Sequence, residues 1–337
     1  MEKQIVKVRK NWIDWMKAVC MIIVVWGHCF PPLSSDFIYT FNVAVFFVLS
    51  GFLCKREESS GVFWRKLWHR LALPYLILAL LKIAGYVLKH LSDGNGLLSL
   101  LAILTGFHSF DEVHGCNNLW FVYTLIIIKI IYQYAIKDWK AGTVWFLVMS
   151  VGAIMFQKAE VELRWAVANV MVAMPFFLFG RMLSAYFMDK VDLLVNSLRN
   201  LSVVYKVLAV MLLCAITYAV SVFNGDVSMF QGLHGNNYAL FLLGGVAGTV
   251  LIFAICSYLD SIRSTIVGYI SIGTMVILTF HRDVNHPLLK LIGKQEFNDV
   301  TREVLLLPTA VITVLVFVPI VILLRRYCPV ILGGRGL

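Results

Sequence analysis

Ten apolar stretches separated by polar connections divide the chain, at about residues 12–30, 37–54, 71–91, 119–137, 142–157, 164–188, 205–223, 236–258, 265–282 and 304–325. Each approaches the roughly 20 residues that an α-helix needs to cross the hydrocarbon core of a bilayer. The pattern predicts an all-α, polytopic membrane protein with about ten transmembrane helices, forming a single integral-membrane domain over residues 1–337. An even number of crossings puts both termini on one side.

Two connections carry more than a turn. Residues 59–70, SSGVFWRKLWHR, place Phe63, Trp64 and Leu67 among basic residues, which predicts an amphipathic interfacial helix capped by Ser59 or Ser60. Pro74 then falls in the first turn of the next span, where proline is tolerated. Residues 92–118 hold no lysine or arginine and read as an outer loop long enough to line a mouth.

Composition supports the membrane class. Apolar residues make up 60% of the chain and charged ones 14%, against about half and about a quarter in soluble domains. The net charge of +10 would elsewhere point to nucleic acid, but here its distribution carries the information. Nineteen lysines and arginines fall at the N-terminus, in alternate connections and at the C-terminus, and seven on the opposite side, so both termini are expected to be cytoplasmic. No nucleic-acid partner is expected; lipids are. The seven cysteines show no paired spacing, and the first apolar run has no small-residue cleavage site.

Candidate chemistry concentrates in NWIDWMKAVCMIIVVWGHCF, residues 11–30. Asp14 and Lys17 stand three residues apart and Lys17 and His28 eleven, so on a helix Lys17 and His28 share a face about 16 Å apart. Ionisable groups in a membrane cost several kcal/mol unless paired or wetted, so they point to a polar channel. An interfacial Asp14–Lys17 pair with a packing histidine fits the spacing equally. The run FFVLSG, ending at Gly51, offers Ser50 to the same channel or simply lets helices pack closely. Arg65, Lys66, His69 and Arg70 read as positive flanking charge or as a site for an anionic cytosolic ligand. Trp120 is an interfacial anchor, and His281 ends the ninth span near Arg282. His108, Asp111, Glu112, His114 and Cys116 match no strong zinc pattern, and no metal is expected.

Together these stretches resemble the acyltransferase-3 family of integral membrane enzymes. The resemblance rests on Asp14, Lys17 and His28, on FFVLSGFL at residues 46–53, WRKLWHRLALPY, NNLWFVYTL at 117–125 and MPFFLFGRML at 174–183. The family usually has arginine where Lys17 stands, and a bidentate contact there would be lost. Some members carry a further extracytoplasmic esterase-like domain after the membrane part; none is expected here.

The resemblance implies an O-acyltransferase, transferring groups other than aminoacyl groups. It would move an acetyl or other short acyl group from cytosolic acyl-CoA to a hydroxyl of an extracytoplasmic glycan or lipid-linked glycan. His28 would be general base, with Asp14 and Lys17 beside it in the catalytic set. Lys17, Arg65, Lys66 and Arg70 would hold the donor, and Asn42, Ser50, Trp120 and His281 would line the channel or bind the acceptor. A prokaryotic inner (plasma) membrane is the expected location. The rivals are a succinyl- or other acyltransferase with a non-glycan acceptor, a proton-coupled secondary transporter using His28 and Asp14, and an inactive scaffold.

Overall fold

The computed structural model describes residues 10–90, 92, 94–106, 117–160 and 166–334. Among the described residues every regular element is a helix. The order is α1 (Asn11–Gly27), α2 (Ser35–Tyr39), α3 (Ala44–Leu53), α4 (Ser60–Leu67), α5 (Leu73–Lys89), α6 (Asn95–Thr105), α7 (Trp120–Tyr134) and α8 (Trp139–Lys158). There follow α9 (Val167–Phe187), α10 (Val191–Arg199), α11 (Val203–Asn224), α12 (Tyr238–Tyr258), α13 (Thr265–Ile272), α14 (Thr274–Gly293) and α15 (Asp299–Tyr327).

Among the described residues seven helical stretches are long and apolar enough to cross a membrane, or eight if the bent pair α13–α14 is one span. α1 and α7, at 17 and 15 residues, are shorter. α11 shows what the crossing helices face. Val203, Val207, Leu208, Met211 and Leu212 are all at least half exposed. Water would penalise so continuous an apolar face, whereas lipid does not. The chain is an integral, multi-pass membrane protein.

α1 is buried between two cores, which is why its sequence is apolar nearly all round. Ala18, Met21 and Val25 pack with Leu78 of α5, Ile277 of α14 and Val314 of α15. Trp12, Met16 and Cys20 pack with Val45 of α3 and Ile252 of α12. A third core joins α3 to α9 through Phe47, Val48, Ala173 and Phe177. Here the small-residue reading of the SG motif applies: a Cβ on Gly51 would lie 2.0 Å from the Phe177 carbonyl oxygen, and one on Gly180 would lie 2.0 Å from that of Val48. Only glycine lets the two backbones approach this closely.

Two expectations change. The segment 59–70 is not a separate surface helix. Ser59 does cap α4, its hydroxyl accepting from the Val62 N–H, but the helix widens into a π turn over Trp68–Ala72 and runs on into α5. Because the helix is continuous, Pro74 is internal to it rather than in a first turn, and the N–H it lacks falls directly after the wider π turn. The supposed loop 92–118 begins with a helix, α6, whose Ala102 and Ile103 are buried and whose Ile103 carbonyl accepts from the Tyr75 hydroxyl at 2.9 Å. Its apolar run is too short to cross and so escapes a span-length reading. His108, Asp111, Glu112, His114 and Cys116 lie outside the described residues.

The remaining feature that shapes the site is a break. α13 and α14 meet at Gly273 with an 88° bend. A Cβ there would lie 2.3 Å from Val321 Cγ2 of α15, so glycine admits both the bend and the neighbouring helix.

Candidate active site

His28 is the residue at which α1 ends. Phe30 beyond it takes a left-handed backbone (φ 54°), and Pro31 and Pro32 follow, so the chain cannot continue the helix. The His28 Nδ1 lies 2.9 Å from the Val24 carbonyl oxygen. A carbonyl can only accept, so Nδ1 carries the proton and the neutral ring keeps its lone pair on Nε2.

His281, wholly buried in α14, repeats the arrangement. Its Nδ1 donates toward the carbonyls of Ile277 (3.0 Å) and Leu278 (2.9 Å), while its Nε2 has no partner among the described residues. The two imidazole centroids are 4.7 Å apart at 48°.

Several contacts fix this pair. The Tyr39 hydroxyl donates to the Gly27 carbonyl at 3.2 Å. Asn285 donates to Cys29 Sγ at 3.3 Å and accepts from the Thr313 hydroxyl, joining the end of α1 to α14 and α15. Asn118 donates to the Thr279 carbonyl at 3.2 Å, anchoring the start of α7 against α14.

His28 lines a cavity of about 340 Å³, with Tyr39, Trp120, Asp226, Gln231 and Arg282 also in its wall. Trp120 stands 6.0 Å, centroid to centroid, from Phe230. Flat rings beside a carboxylate and an amide form a surface that can stack an apolar ring face and accept from hydroxyls. The apolar–polar pattern gives little sign of Tyr39, Asp226 or Gln231. The one available signal is the polar turn that opens at Gly225-Asp226 between two apolar spans.

A second cavity, of about 950 Å³, lies at the other end of α1. Its wall includes Asn11, Trp12 and Asp14 of α1, with Lys10, Arg199, Arg263 and Arg325. Asp14 is buried and its Oδ1 accepts from the Ser271 hydroxyl at 2.6 Å. Fourteen residues of helix set Asp14 about 21 Å from His28 along the axis. Ile272 lines the larger cavity and Thr274 the smaller, so the bend at Gly273 stands between them.

The other sequence candidates are distributed unevenly. Trp120 lines the imidazole cavity and His281 abuts His28. Lys17 is half-buried and lines neither of the two cavities. Asn42 is buried, its side-chain oxygen accepting from the Val43 N–H at 2.8 Å in the turn before α3. Ser50 is half-buried on α3, outside both cavity walls. Arg65 and Arg70 are exposed and Lys66 is paired with Glu57; none of the three lines either cavity.

Among the described residues no group of three or more His, Cys, Asp or Glu side chains is arranged to hold a metal ion. A model of the family described as an acyltransferase domain matches residues 10–326, nearly the whole chain. There is no match among curated proteins or among solved structures.

Proposed function

The chain belongs to the acyltransferase-3 family and is an acyltransferase; from that premise we propose that it is a membrane O-acyltransferase carrying a short acyl group from cytosolic acyl-CoA to a hydroxyl of an extracytoplasmic glycan. The acyl group is most simply acetyl, and the acceptor a surface polysaccharide or lipid-linked glycan. In this reading ten segments cross a prokaryotic inner membrane, with both termini cytoplasmic. The larger, charged cavity then opens to the cytosol and the imidazole cavity to the outside.

The observation that carries the proposal is the fixed tautomer of His28. Its Nδ1 proton is held by the Val24 carbonyl, leaving Nε2 as the basic nitrogen of a side chain in a cavity wall. In the step, Nε2 takes the proton of the acceptor hydroxyl as the oxygen attacks the thioester carbonyl. The new C–O bond forms, the C–S bond breaks, and the leaving thiolate takes the proton back from the imidazolium. Positioned proton transfer of this kind contributes about 10²–10⁴-fold.

His281, with its free Nε2 lone pair, and Trp120 serve the acceptor side. Asp14 and Lys17 orient the donor arm along α1. Two cavities sharing α1 and separated by a single bend suit a reaction whose substrates arrive from opposite sides.

The test uses membranes containing the protein, radiolabelled acetyl-CoA and a surface-glycan extract. His28→Ala is expected to lose label transfer by about 10²–10⁴-fold. Full transfer by the variant would remove the imidazole from the mechanism. Ion or sugar flux without transfer would replace the reading with a transporter.

A further inference from the structure

The charged cavity contains more positive charge than its own acids neutralise. Lys10 is paired with Asp192 at 2.9 Å, and Arg199 lies 3.6 Å from Asp260. Asp260 also accepts from the Trp12 backbone N–H at 2.9 Å, and Asp14 is engaged by Ser271. Arg263 and Arg325 remain, with no hydrogen bond or ion pair among the described residues.

Arg325 rests over the Tyr269 ring, its guanidinium carbon 5.8 Å from the centroid. That contact holds the plane of the group and leaves its N–H edges available. Arg263 sits on a connection pinned to the start of α1. The Asn11 side chain donates to the carbonyls of Asp260 (2.6 Å) and Ile262 (2.9 Å), and the Trp15 indole N–H donates to Ile262 at 2.9 Å.

Two guanidinium forks with no ion-pair partner among the described residues, on the wall of one concavity, match phosphoryl oxygens better than any neutral ligand.

We infer that this cavity is a phosphoryl-anion subsite that seats the nucleotide phosphates of the acyl donor, with Arg263 and Arg325 as its binding forks. The inference rests on the acyl-CoA reading above and relocates the donor's anionic end. Arg65, Lys66 and Arg70 face elsewhere, and Lys66 is already neutralised by Glu57. From the charged cavity a thioester arm would run along α1, past the bend at Gly273, toward His28.

The experiment compares two donors on purified, lipid-reconstituted protein: acetyl-CoA, and S-acetylpantetheine, which has the same thioester and no phosphates. In the double variant Arg263→Gln/Arg325→Gln, KM for acetyl-CoA is expected to rise roughly tenfold to hundredfold with kcat little changed, as for lost charge-assisted hydrogen bonds. KM for S-acetylpantetheine stays as in the wild type. 3′-Phosphoadenosine 5′-diphosphate inhibits the wild type and loses its hold on the variant, and Arg263→Lys/Arg325→Lys recovers part of it.

A lipid arm repeats the assay in neutral and in phosphatidylglycerol-containing vesicles. If the KM difference appears only with the anionic lipid, the arginines serve headgroups and the inference falls. An unchanged KM for acetyl-CoA, or equal rises for both donors, overturns it while leaving the donor reading intact. Failure of the wild type to use acetyl-CoA at all ends both.

Discussion

The two ends of α1 are solvated by opposite means. At the Asn11 end the surroundings are charged: a wide cavity, seven ionic side chains in its wall and a carboxylate tied to a serine. At the His28 end the cavity is about a third the volume, walled largely by aromatic and aliphatic groups, and its imidazole is held by the Val24 backbone carbonyl. On the proposed reading one helix presents a phosphate-binding mouth and a proton-transfer site, and the difference between its ends follows from what packs around each. An imidazole serves as a base only where its neutral form is easily kept, and a polyanion binds only where cations are left over.

That contrast can be attacked from either end. The largest effect belongs to the imidazole end: His28→Ala should lower kcat by about 10²–10⁴-fold while leaving KM for acetyl-CoA near the wild-type value. A steady-state split showing the reverse would mean that the two ends do not divide labour. Lys17 lies between them. Lys17→Ala is expected to cost roughly tenfold to hundredfold in transfer and Lys17→Arg to retain activity, as for a charged contact. Equal activity in all three forms would leave the charge no role.

Next comes the bend that separates the cavities. Gly273→Val drives a side chain into Val321, and overpacking of this sort costs about 1–3 kcal/mol, readable as a lower thermal midpoint in detergent. Gly293→Val, at an open position, should leave the midpoint unchanged.

The smallest effect concerns the connection that carries Asp226 and Gln231. Burial pushes the His234 imidazole below its ordinary range, only partly offset by nearby backbone groups of His234 and Gly235. A depressed histidine pKa means that the unfolded form binds more protons in mild acid. Stability is therefore fully present above the unfolded value, about 6.5, and declines as pH falls below it. Protection factors of the amides over residues 225–237, corrected for the intrinsic pH dependence of exchange, should fall from pH 7.5 to 5.5, and His234→Gln should flatten that response.

Much of this molecule is written locally. The apolar stretches announce the bilayer because twenty consecutive apolar residues have few other stable homes. Residues 14, 17 and 28 stand out because ionisable groups inside such a stretch are expensive. Gly51 reads as a close-packing residue, and Gly180 across from it supplies the reason. Arg65, Lys66 and Arg70 show the limit of local reading. Their clustering in sequence looks like a binding site; in the fold Lys66 is paired with Glu57, Arg65 and Arg70 stay exposed, and none of the three lines either cavity.

The chain alone therefore determined its class, its family resemblance and the histidine on which the chemistry is proposed to turn, since each depends on the kind and spacing of neighbouring residues. Only tertiary structure decided that His281 faces His28 and that Asp226 and Gln231 join their cavity. The same holds for Arg263 and Arg325, which share one cavity wall and have no ion pair among the described residues, and for the bend at Gly273 that stands between the two chambers. Cavities and uncompensated charges are properties of surfaces brought together from distant parts of the chain, and hydrophobic periodicity records only which face of each helix leaves water.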